Sequence, residues 1–169
     1  MMKLVKRKKG FTLVELLIVI AIISILTIVT VGQFQTARAR ARDAQRKGDL
    51  SNMTKALEMY YADLGVFPDA TDINLLLETG GEFKDGDYTY MKVVPTEKKL
   101  STDFCYKTNE VPGVEPTKFG LFGNLEVTSD KDCTDDVTGD IHEYECGGVM
   151  YCYGLTSPNT ILDEDGTLE

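Results

Sequence analysis

An uninterrupted apolar run from Phe11 to Val31 limits this chain to a small number of possible folds. The run contains no glycine, proline, lysine or arginine, and Glu15 is its only ionisable side chain. As a helix that rises about 1.5 Å per residue, it would be roughly 31 Å long, which is enough to cross the hydrocarbon core of a bilayer. The sequence therefore predicts a transmembrane helix at residues 11–31.

Glu15 is the unusual residue of this run, because a charge inside an apolar helix is costly. On insertion scales the cost is about 2.5–3.5 kcal/mol at the centre of a membrane helix, and it is lower near an end, where Glu15 lies. The run itself contains no basic residue that could neutralise the carboxylate. Two interpretations follow: the side chain reaches the polar interface of the bilayer, or it pairs with a group from outside the run.

The residues around Glu15 resemble the processing motif of the prepilin family, which comprises the precursors of type IV pilins and the pseudopilins of type II secretion systems. The shared features are a basic leader that ends in glycine, an aromatic residue directly after it and a glutamate five residues beyond the glycine, here Lys8, Lys9, Gly10, Phe11 and Glu15. The resemblance implies that a prepilin peptidase cleaves after Gly10 and that Phe11 becomes the N-methylated amino terminus. It also implies that Glu15 pairs with the amino terminus of a neighbouring subunit, since a buried carboxylate and a buried ammonium are costly alone and tolerable together.

With this resemblance the chain divides into four segments. Residues 1–10 form a cleaved leader, residues 11–31 a transmembrane helix that later lies in a filament core, residues 32–64 an amphipathic helix that continues into the head, and residues 65–169 a globular head. The leader holds five of the 18 basic residues, so its removal leaves 13 against 27 acidic ones and a net charge of −14. Such an acidic product argues against nucleic acid as a partner.

A secretory signal peptide is the competing interpretation of the first 31 residues. Its apolar core would be about 7–15 residues long and would end in an Ala-x-Ala cleavage site. The apolar run is longer than that, and no such site closes it. The sequence therefore favours a helix that is retained in the mature protein.

A second group of basic residues follows the apolar run and consists of Arg38, Arg40, Arg42, Arg46 and Lys47. It equals the leader in number, so the positive-inside rule gives no orientation. The resemblance, together with cysteines in the head, places the amino terminus in the cytoplasm and the head outside. The favoured interpretation of the group is a solvated helix face with interfacial anchors, and the alternative is a set of salt bridges between subunits of a filament.

Beyond residue 32 the apolar residues recur at steps of three and four, which predicts that the helix continues to Leu64 with one stripe packed on the head. Gly32 weakens a helix and is interpreted as a flexible joint. The segment from Gly65 to Pro68 ends the helix. The predicted stripe consists of Phe34, Ala37, Ala41, Ala44, Leu50, Met53, Leu57, Tyr60 and Leu64.

The head is predicted to be rich in β-strands with one short helix. That helix covers residues 72–79, with Asp72 as its cap and Gly80 and Gly81 at its end. Strands are expected at residues 88–94, 104–108, 119–127, 141–144 and 149–155. Because the strands are short and close in sequence, we expect a small antiparallel sheet that packs on the helix stripe. The predicted fold class is α+β and pilin-like: a long N-terminal helix against a small antiparallel head.

All four cysteines, Cys105, Cys133, Cys146 and Cys152, lie in the head. Their even number and the lack of a Cys-x-x-Cys motif predict disulfides in an oxidising compartment and argue against a zinc site. Three pairings are possible; a turn at residues 138–139 favours Cys133–Cys146, and aromatic neighbours favour Cys105–Cys152. A cysteine nucleophile would need a histidine. His142 is the only one in the sequence, so no enzymatic activity is predicted.

Four carboxylates of the head, Asp130, Asp132, Asp135 and Asp136, are candidate ligands of Ca²⁺, which prefers closely spaced oxygen atoms. Their spacing lacks the third ligand position and the glycine of an EF-hand loop. The resemblance supports calcium, because major pseudopilins of type II secretion bind it in a head loop. A solvated acidic loop is the favoured interpretation, and no other cofactor is expected.

These features predict a structural subunit of a type IV pilus or a pilus-like filament, processed after Gly10 and assembled through its apolar N-terminal helix. The expected partners are further copies of itself or related pilins, the prepilin peptidase, an inner-membrane assembly platform and, before assembly, membrane lipid. The expected location is the cytoplasmic membrane in a single pass, and afterwards a periplasmic or extracellular filament. One alternative is a type II secretion pseudopilin or a minor pilin of DNA uptake. An alternative of another class is a single-pass anchored binding module, which should tolerate Glu15→Leu.

Overall fold

The structure, a computed structural model, describes residues 10–97, 99–100, 102–109, 114–134, 141–158, 160–161 and 168, with the backbone alone at residues 28–33. The chain falls into two compact units, Met1–Arg38 and Ala39–Glu169. Most of the predicted leader, residues 1–9, lies outside the described residues, and so do Asp135 and Asp136 of the acidic loop.

The first unit consists of the start of helix α1, which covers Leu13–Leu64. Its apolar side chains are exposed between Leu13, at 78%, and Leu26, at 60%. The backbone is helical through Gly32, so the flexible joint remains a prediction. No helix in the described part of the chain meets the length and apolarity that a membrane crossing requires.

The second unit begins with the rest of α1, whose buried stripe differs in part from the predicted one. Leu50, Met53 and Leu57 are fully buried, as predicted. The charged residues Asp43 and Arg46 continue the stripe toward the amino terminus at the same steps of three and four, and both are buried. The prediction of burial is wrong for five residues of the stripe, which are exposed: Phe34, Ala37, Ala41, Ala44 and Leu64. At Ala41 and Ala44 the reason is that the helix turns the neighbouring charged residues Asp43 and Arg46 toward the head instead.

Helix α2 covers Ala70–Thr79 and begins two residues earlier than predicted. Its cap is Asp69, whose carboxylate accepts a hydrogen bond from the backbone N–H of Thr71 at 2.7 Å, so the prediction that Asp72 caps this helix is wrong. The expected end is confirmed, because Gly80 follows the helix at φ 71°, where a residue without Cβ is favoured.

Seven short strands complete the described fold: β1 Phe83–Asp85, β2 Tyr88–Met91, β3 Cys105–Thr108, β4 Phe119–Gly123, β5 Tyr144–Cys146, β6 Val149–Tyr151 and β7 Tyr153–Thr156. All of their pairings are antiparallel, which confirms the α+β class with a pilin-like arrangement. The strands form three small sheets, with the orders β1-β2, β3-β4-β7 and β5-β6, in place of the single sheet that the sequence predicts. The predicted strand at residues 149–155 is interrupted at Cys152 and contributes to two of these sheets.

The hydrophobic core lies between α1, α2 and the central strand β4. Phe119 and Leu121 pack in the same cluster as the α1 stripe, while Phe122 packs with Cys146 and Tyr151 in a second cluster. Strand β4 is therefore buried on both faces. At its end, a Cβ on Gly123 would lie 3.0 Å from both Leu50 and Phe104, so glycine permits the close approach of β4 to α1.

Two disulfides link the cysteines as Cys105–Cys146 and Cys133–Cys152. The prediction that the four cysteines form disulfides is confirmed, and the favoured pairing is wrong. Thr134 and Ile141 form an antiparallel bridge, which places His142 opposite Cys133, with a hydrogen bond of 2.9 Å from the His142 N–H to the Cys133 carbonyl. Cys146 lies further along β5, where it packs beside Cys105.

Candidate functional site

The N-terminal segment begins with a hydrogen-bonded cap on α1. The backbone N–H and the hydroxyl of Thr12 each donate to Oε2 of Glu15 at 2.8 Å, and the Glu15 N–H donates back to the Thr12 hydroxyl at 3.2 Å. This reciprocal arrangement is a capping box, which Thr-x-x-Glu sequences form at helix starts. The spacing of Thr12 and Glu15 is visible in the sequence, and it is the signal by which this cap could have been predicted.

The cap supplies hydrogen bonds to the Glu15 carboxylate but does not neutralise its charge. Thr12 is neutral, and Glu15 forms no salt bridge with any residue in the described part of the chain. Phe11 is 89% exposed, and the peptide bond between Gly10 and Phe11 lies before the first helical residue, Leu13. The segment thus presents an exposed peptide bond, an unneutralised carboxylate and an exposed apolar helix.

A network of charged residues joins the second part of α1 to the head. At its centre is Arg46, which is 5% exposed. Its guanidinium donates to Asp43 at 2.6 Å, to Glu126 at 2.9 Å and to Glu97. Asp43 also accepts the backbone N–H groups of Glu126 at 2.8 Å and Val127 at 2.9 Å. Two helix residues thereby hold the segment after β4 through charge-assisted hydrogen bonds. We call Asp43, Arg46, Glu97 and Glu126 the α1–head network.

Two further cations, both more exposed than Arg46, contact this network. The guanidinium of Arg42 lies 2.6 Å from Glu126, and the ammonium of Lys99 lies 2.8 Å from the same carboxylate. Hydrogen bonds from Arg42 first, and then from Lys99 and Arg46, hold the pKa of Glu126 far below its ordinary value against the effect of burial. Burial would raise the pKa of Glu97, but Arg46 and two backbone N–H groups lower it below its ordinary value.

Lys47 forms a separate contact with the acidic loop. Its ammonium lies 2.7 Å from Asp130 and 2.5 Å from Asp132, and 5.5 Å from the ring centroid of Tyr153. Two of the four candidate calcium ligands therefore neutralise a lysine of the same chain. Calcium binding remains a prediction, because the other two candidates lie outside the described residues.

The basic group of α1 is thus mainly an internal feature of the head. The expectation of a solvated face is wrong for Arg42, Arg46 and Lys47, whose partners lie in the same chain. Arg38 and Arg40 are exposed, and neither forms an ion pair within the residues that the structure describes. The acidic partners Glu97 and Glu126 were missed because they are distant in sequence. Only the placement of Asp43 and Arg46 on the apolar stripe could have indicated a buried pair.

The lowered pKa values predict that the head loses stability in acid. The pKa of Asp130 is also lowered, chiefly by the hydrogen bond from Lys47. A carboxyl whose pKa is lowered by folding stabilises the folded state at every pH above its ordinary pKa, which is near 4. This stabilisation is lost as the pH falls through the lower pKa of the folded state. Asp49 has the opposite shift, because burial and Glu97 raise its pKa. The three lowered pKa values, those of Glu97, Glu126 and Asp130, outnumber this one raised value.

We therefore expect the urea midpoint of the detergent-solubilised chain to change little between pH 7 and pH 5. At pH values below 4 the midpoint should decrease. The variant Glu126→Gln should show a smaller fall, since one of the shifted groups no longer titrates. A wild-type midpoint that stays constant from pH 5 to pH 3 would contradict the expectation.

Comparisons with known proteins agree with this geometry. The model of the prokaryotic N-terminal methylation motif matches residues 5–31. The chain is 48% identical over 58 residues to the type IV wide pilus major component PilA4 of Thermus thermophilus. The aligned region covers 34% of this chain and 44% of that protein. The chain is 30% identical over 120 residues to the type IV major pilin protein PilE of Neisseria gonorrhoeae, covering 70% of this chain and 69% of PilE.

A secretion protein is also similar. The chain is 33% identical over 63 residues to the type II secretion system core protein G of Pseudomonas aeruginosa, covering 37% of this chain and 44% of that protein. The chain thus spans less than half the length of the Thermus and Pseudomonas relatives. No solved structure matches it.

An apolar N-terminal helix with a methylation motif, continued into a small antiparallel head, defines a pilin-like protein. The match to PilE extends over more than two thirds of both chains. This chain belongs to the type IV pilin family.

Proposed function

We propose that this protein is the structural subunit of a type IV pilus or a pilus-like filament, and that it has no enzymatic activity of its own. The observation that carries the proposal is the first unit: an exposed apolar helix that begins with a methylation motif and a charged, unneutralised Glu15. An apolar surface of this extent needs lipid or other apolar helices to cover it. The similarity to major pilins supports other apolar helices as the cover in the mature protein.

In this proposal the chain first inserts into the cytoplasmic membrane with its amino terminus inside and its head outside. A prepilin peptidase removes residues 1–10, and Phe11 becomes the methylated terminus. An assembly platform then moves the helix from lipid into a bundle of identical or related helices. The same apolar surface is covered before and after this transfer, so the transfer itself exposes little apolar area to water.

The charge of Glu15 gives the bundle a defined register. In the precursor the capping box satisfies the carboxylate locally. After cleavage an amino terminus lies close to the start of α1, and the ammonium of one copy can neutralise Glu15 of another. Inside an apolar bundle an unpaired charge is strongly unfavourable, so arrangements that pair each Glu15 with an ammonium are selected.

The intact mass of the chain, expressed with and without a prepilin peptidase, tests the processing step. With the peptidase we expect the loss of residues 1–10 and a methyl group on Phe11, and without it an uncut chain. Cleavage that requires no peptidase, or a cut near Val31, would contradict the proposal and favour a secreted or anchored head. The variant Gly10→Val is the matched control and should remain uncut in the presence of the peptidase.

A pseudopilin of type II secretion is the second candidate, favoured by the similarity to core protein G. Both candidates require the same cleavage and the same charge at Glu15. They differ in where the product is found, so we expect long extracellular filaments for a pilus subunit and short periplasmic ones for a pseudopilin. Electron microscopy of cells with their native assembly genes separates the two.

A further inference from the structure

Near the end of α1 the head carries a surface of tyrosines and carboxylates. This surface has no role in the processing and helix bundling proposed above. We call it the tyrosine patch; it consists of Tyr60, Asp63, Asp85, Tyr88 and Tyr90. Tyr88 is 51% exposed, both carboxylates are exposed, and the other two tyrosines are half-buried. The ring centroids of Tyr60 and Tyr90 are 5.2 Å apart, and those of Tyr88 and Tyr90 are 4.8 Å apart. The three rings therefore form one continuous aromatic surface.

Two carboxylates, Asp63 and Asp85, lie beside these rings, and neither has a paired cation among the described residues. Desolvation, a hydrogen bond to Asp63 and the charge of Asp85 raise the pKa of Tyr90. Desolvation and Asp85 likewise raise the pKa of Tyr60. In the described part of the chain neither carboxylate forms a salt bridge, and the neighbouring Lys84 contacts Glu82. An electron-rich aromatic face beside carboxylates without a salt bridge favours a cation, and a guanidinium can stack on a ring while it pairs with a carboxylate.

Arg40 offers such a group on the same compact unit. It is exposed and has no ion pair within the described residues, whereas Arg42, Arg46 and Lys47 are all engaged in the head. At about 1.5 Å per residue, positions 40 and 60 lie roughly 30 Å apart along α1. This distance is several times the length of an arginine side chain, so Arg40 does not reach the tyrosine patch of its own chain.

We propose that the tyrosine patch of one copy binds Arg40 of a second copy, which joins neighbouring heads at an offset of about 30 Å along α1. The inference rests on the proposed function, because a filament holds copies side by side at fixed offsets. It adds a contact between heads to the contact between N-terminal helices. The proposed partner is another copy of this chain, because Arg40 is exposed and opposite in charge to the patch, and the proposed filament places copies side by side.

Photocrosslinking of the full-length chain in membranes tests the contact. Benzophenone-alanine at position 88 keeps an aromatic side chain in the patch and reacts with whatever lies against it. We expect a crosslinked dimer whose linked peptide contains Arg40. The variant Arg40→Glu should reduce the dimer at least fivefold, and the double variant Arg40→Glu with Asp63→Arg should restore at least half of it. Lys131→Glu, on an exposed lysine elsewhere in the head, is the matched charge control and should leave the dimer unchanged.

The outcomes separate this inference from the proposed function. Filaments without a crosslink to the peptide of Arg40 would overturn the inference and leave the proposed function intact. The crosslink without filaments would support the contact and overturn the proposed function. Equal crosslinking in wild type and Arg40→Glu, or a double variant that crosslinks no better than Arg40→Glu alone, would also overturn the inference.

Discussion

Replacement of Arg46 by alanine should destabilise the head by about 3–5 kcal/mol, the cost typical of removing one partner from a buried ion pair. Arg46 is 5% exposed and donates to three carboxylates. Its loss would leave Asp43 and Glu97 buried with less compensation and would open a void beside α1. At roughly 1–3 kcal/mol per molar urea, the midpoint should fall by at least about 1 M.

Neighbouring arginines supply the controls for this experiment. Arg40→Ala removes an exposed arginine without an ion pair among the described residues, and should change the unfolding free energy by no more than about 0.5 kcal/mol. Arg42→Ala removes a pair whose arginine side chain is 36% exposed, and should cost about 0.2–1 kcal/mol. Arg46→Lys keeps the charge but loses the planar fork, so an intermediate loss is expected. A loss below about 1 kcal/mol for Arg46→Ala would show that the network contributes little.

Glu15→Gln should abolish filaments while leaving the helix cap in place. Glutamine serves at the third position of a capping box as well as glutamate does, so the hydrogen bonds with Thr12 persist. The negative charge is lost, and the ammonium of a neighbouring copy would be buried without a partner. This costs about 3–5 kcal/mol, which would weaken each step of assembly by about 10²-fold to about 4 × 10³-fold. The effect is measured as the ratio of the amount of this chain in sheared filaments to its amount in the membrane fraction.

Thr12→Val is the complementary variant, because it removes the two hydrogen bonds of the Thr12 hydroxyl from the cap and keeps the charge of Glu15. The loss of a cap costs about 0.5–2 kcal/mol of helix stability, so filaments should persist, at most in reduced amount. Both variants should be cut normally by the peptidase. Filaments at the wild-type level in Glu15→Gln would show that capping, and not charge pairing, is the role of this residue, and would favour an anchored module over a filament subunit.

The parts of the fold that could be predicted are those set by local pattern. Leu50, Met53 and Leu57 follow the helical period, and Gly80 ends α2 where the sequence places it. Asp69 was missed as the cap because Asp72 offered an equally good local pattern. Local pattern alone does not decide between two acidic residues three positions apart at a helix start.

The parts that could not be predicted depend on contacts between distant residues. Nothing near Arg46 in sequence indicates that Glu97 and Glu126 will meet it, and the fold alone brings them together. The pairing of Cys105 with Cys146 likewise depends on where β5 packs, and three pairings were compatible with the sequence. In the candidate site, the methylation motif that contains Gly10, Phe11 and Glu15 is recognisable in the sequence because it is contiguous, and the roles of these residues stay predictions. The tyrosine patch could not be recognised in this way, because it joins residues from α1 and from the β1-β2 sheet.

The order of the disulfides along the chain has a consequence for a head that meets proteases in the periplasm or outside the cell. The bridges Cys105–Cys146 and Cys133–Cys152 overlap in sequence. A single proteolytic cut anywhere between Cys105 and Cys152 is therefore spanned by at least one bridge, and between Cys133 and Cys146 by both. A nicked head would keep its two fragments covalently joined, so a subunit cut in this stretch would not release its C-terminal fragment.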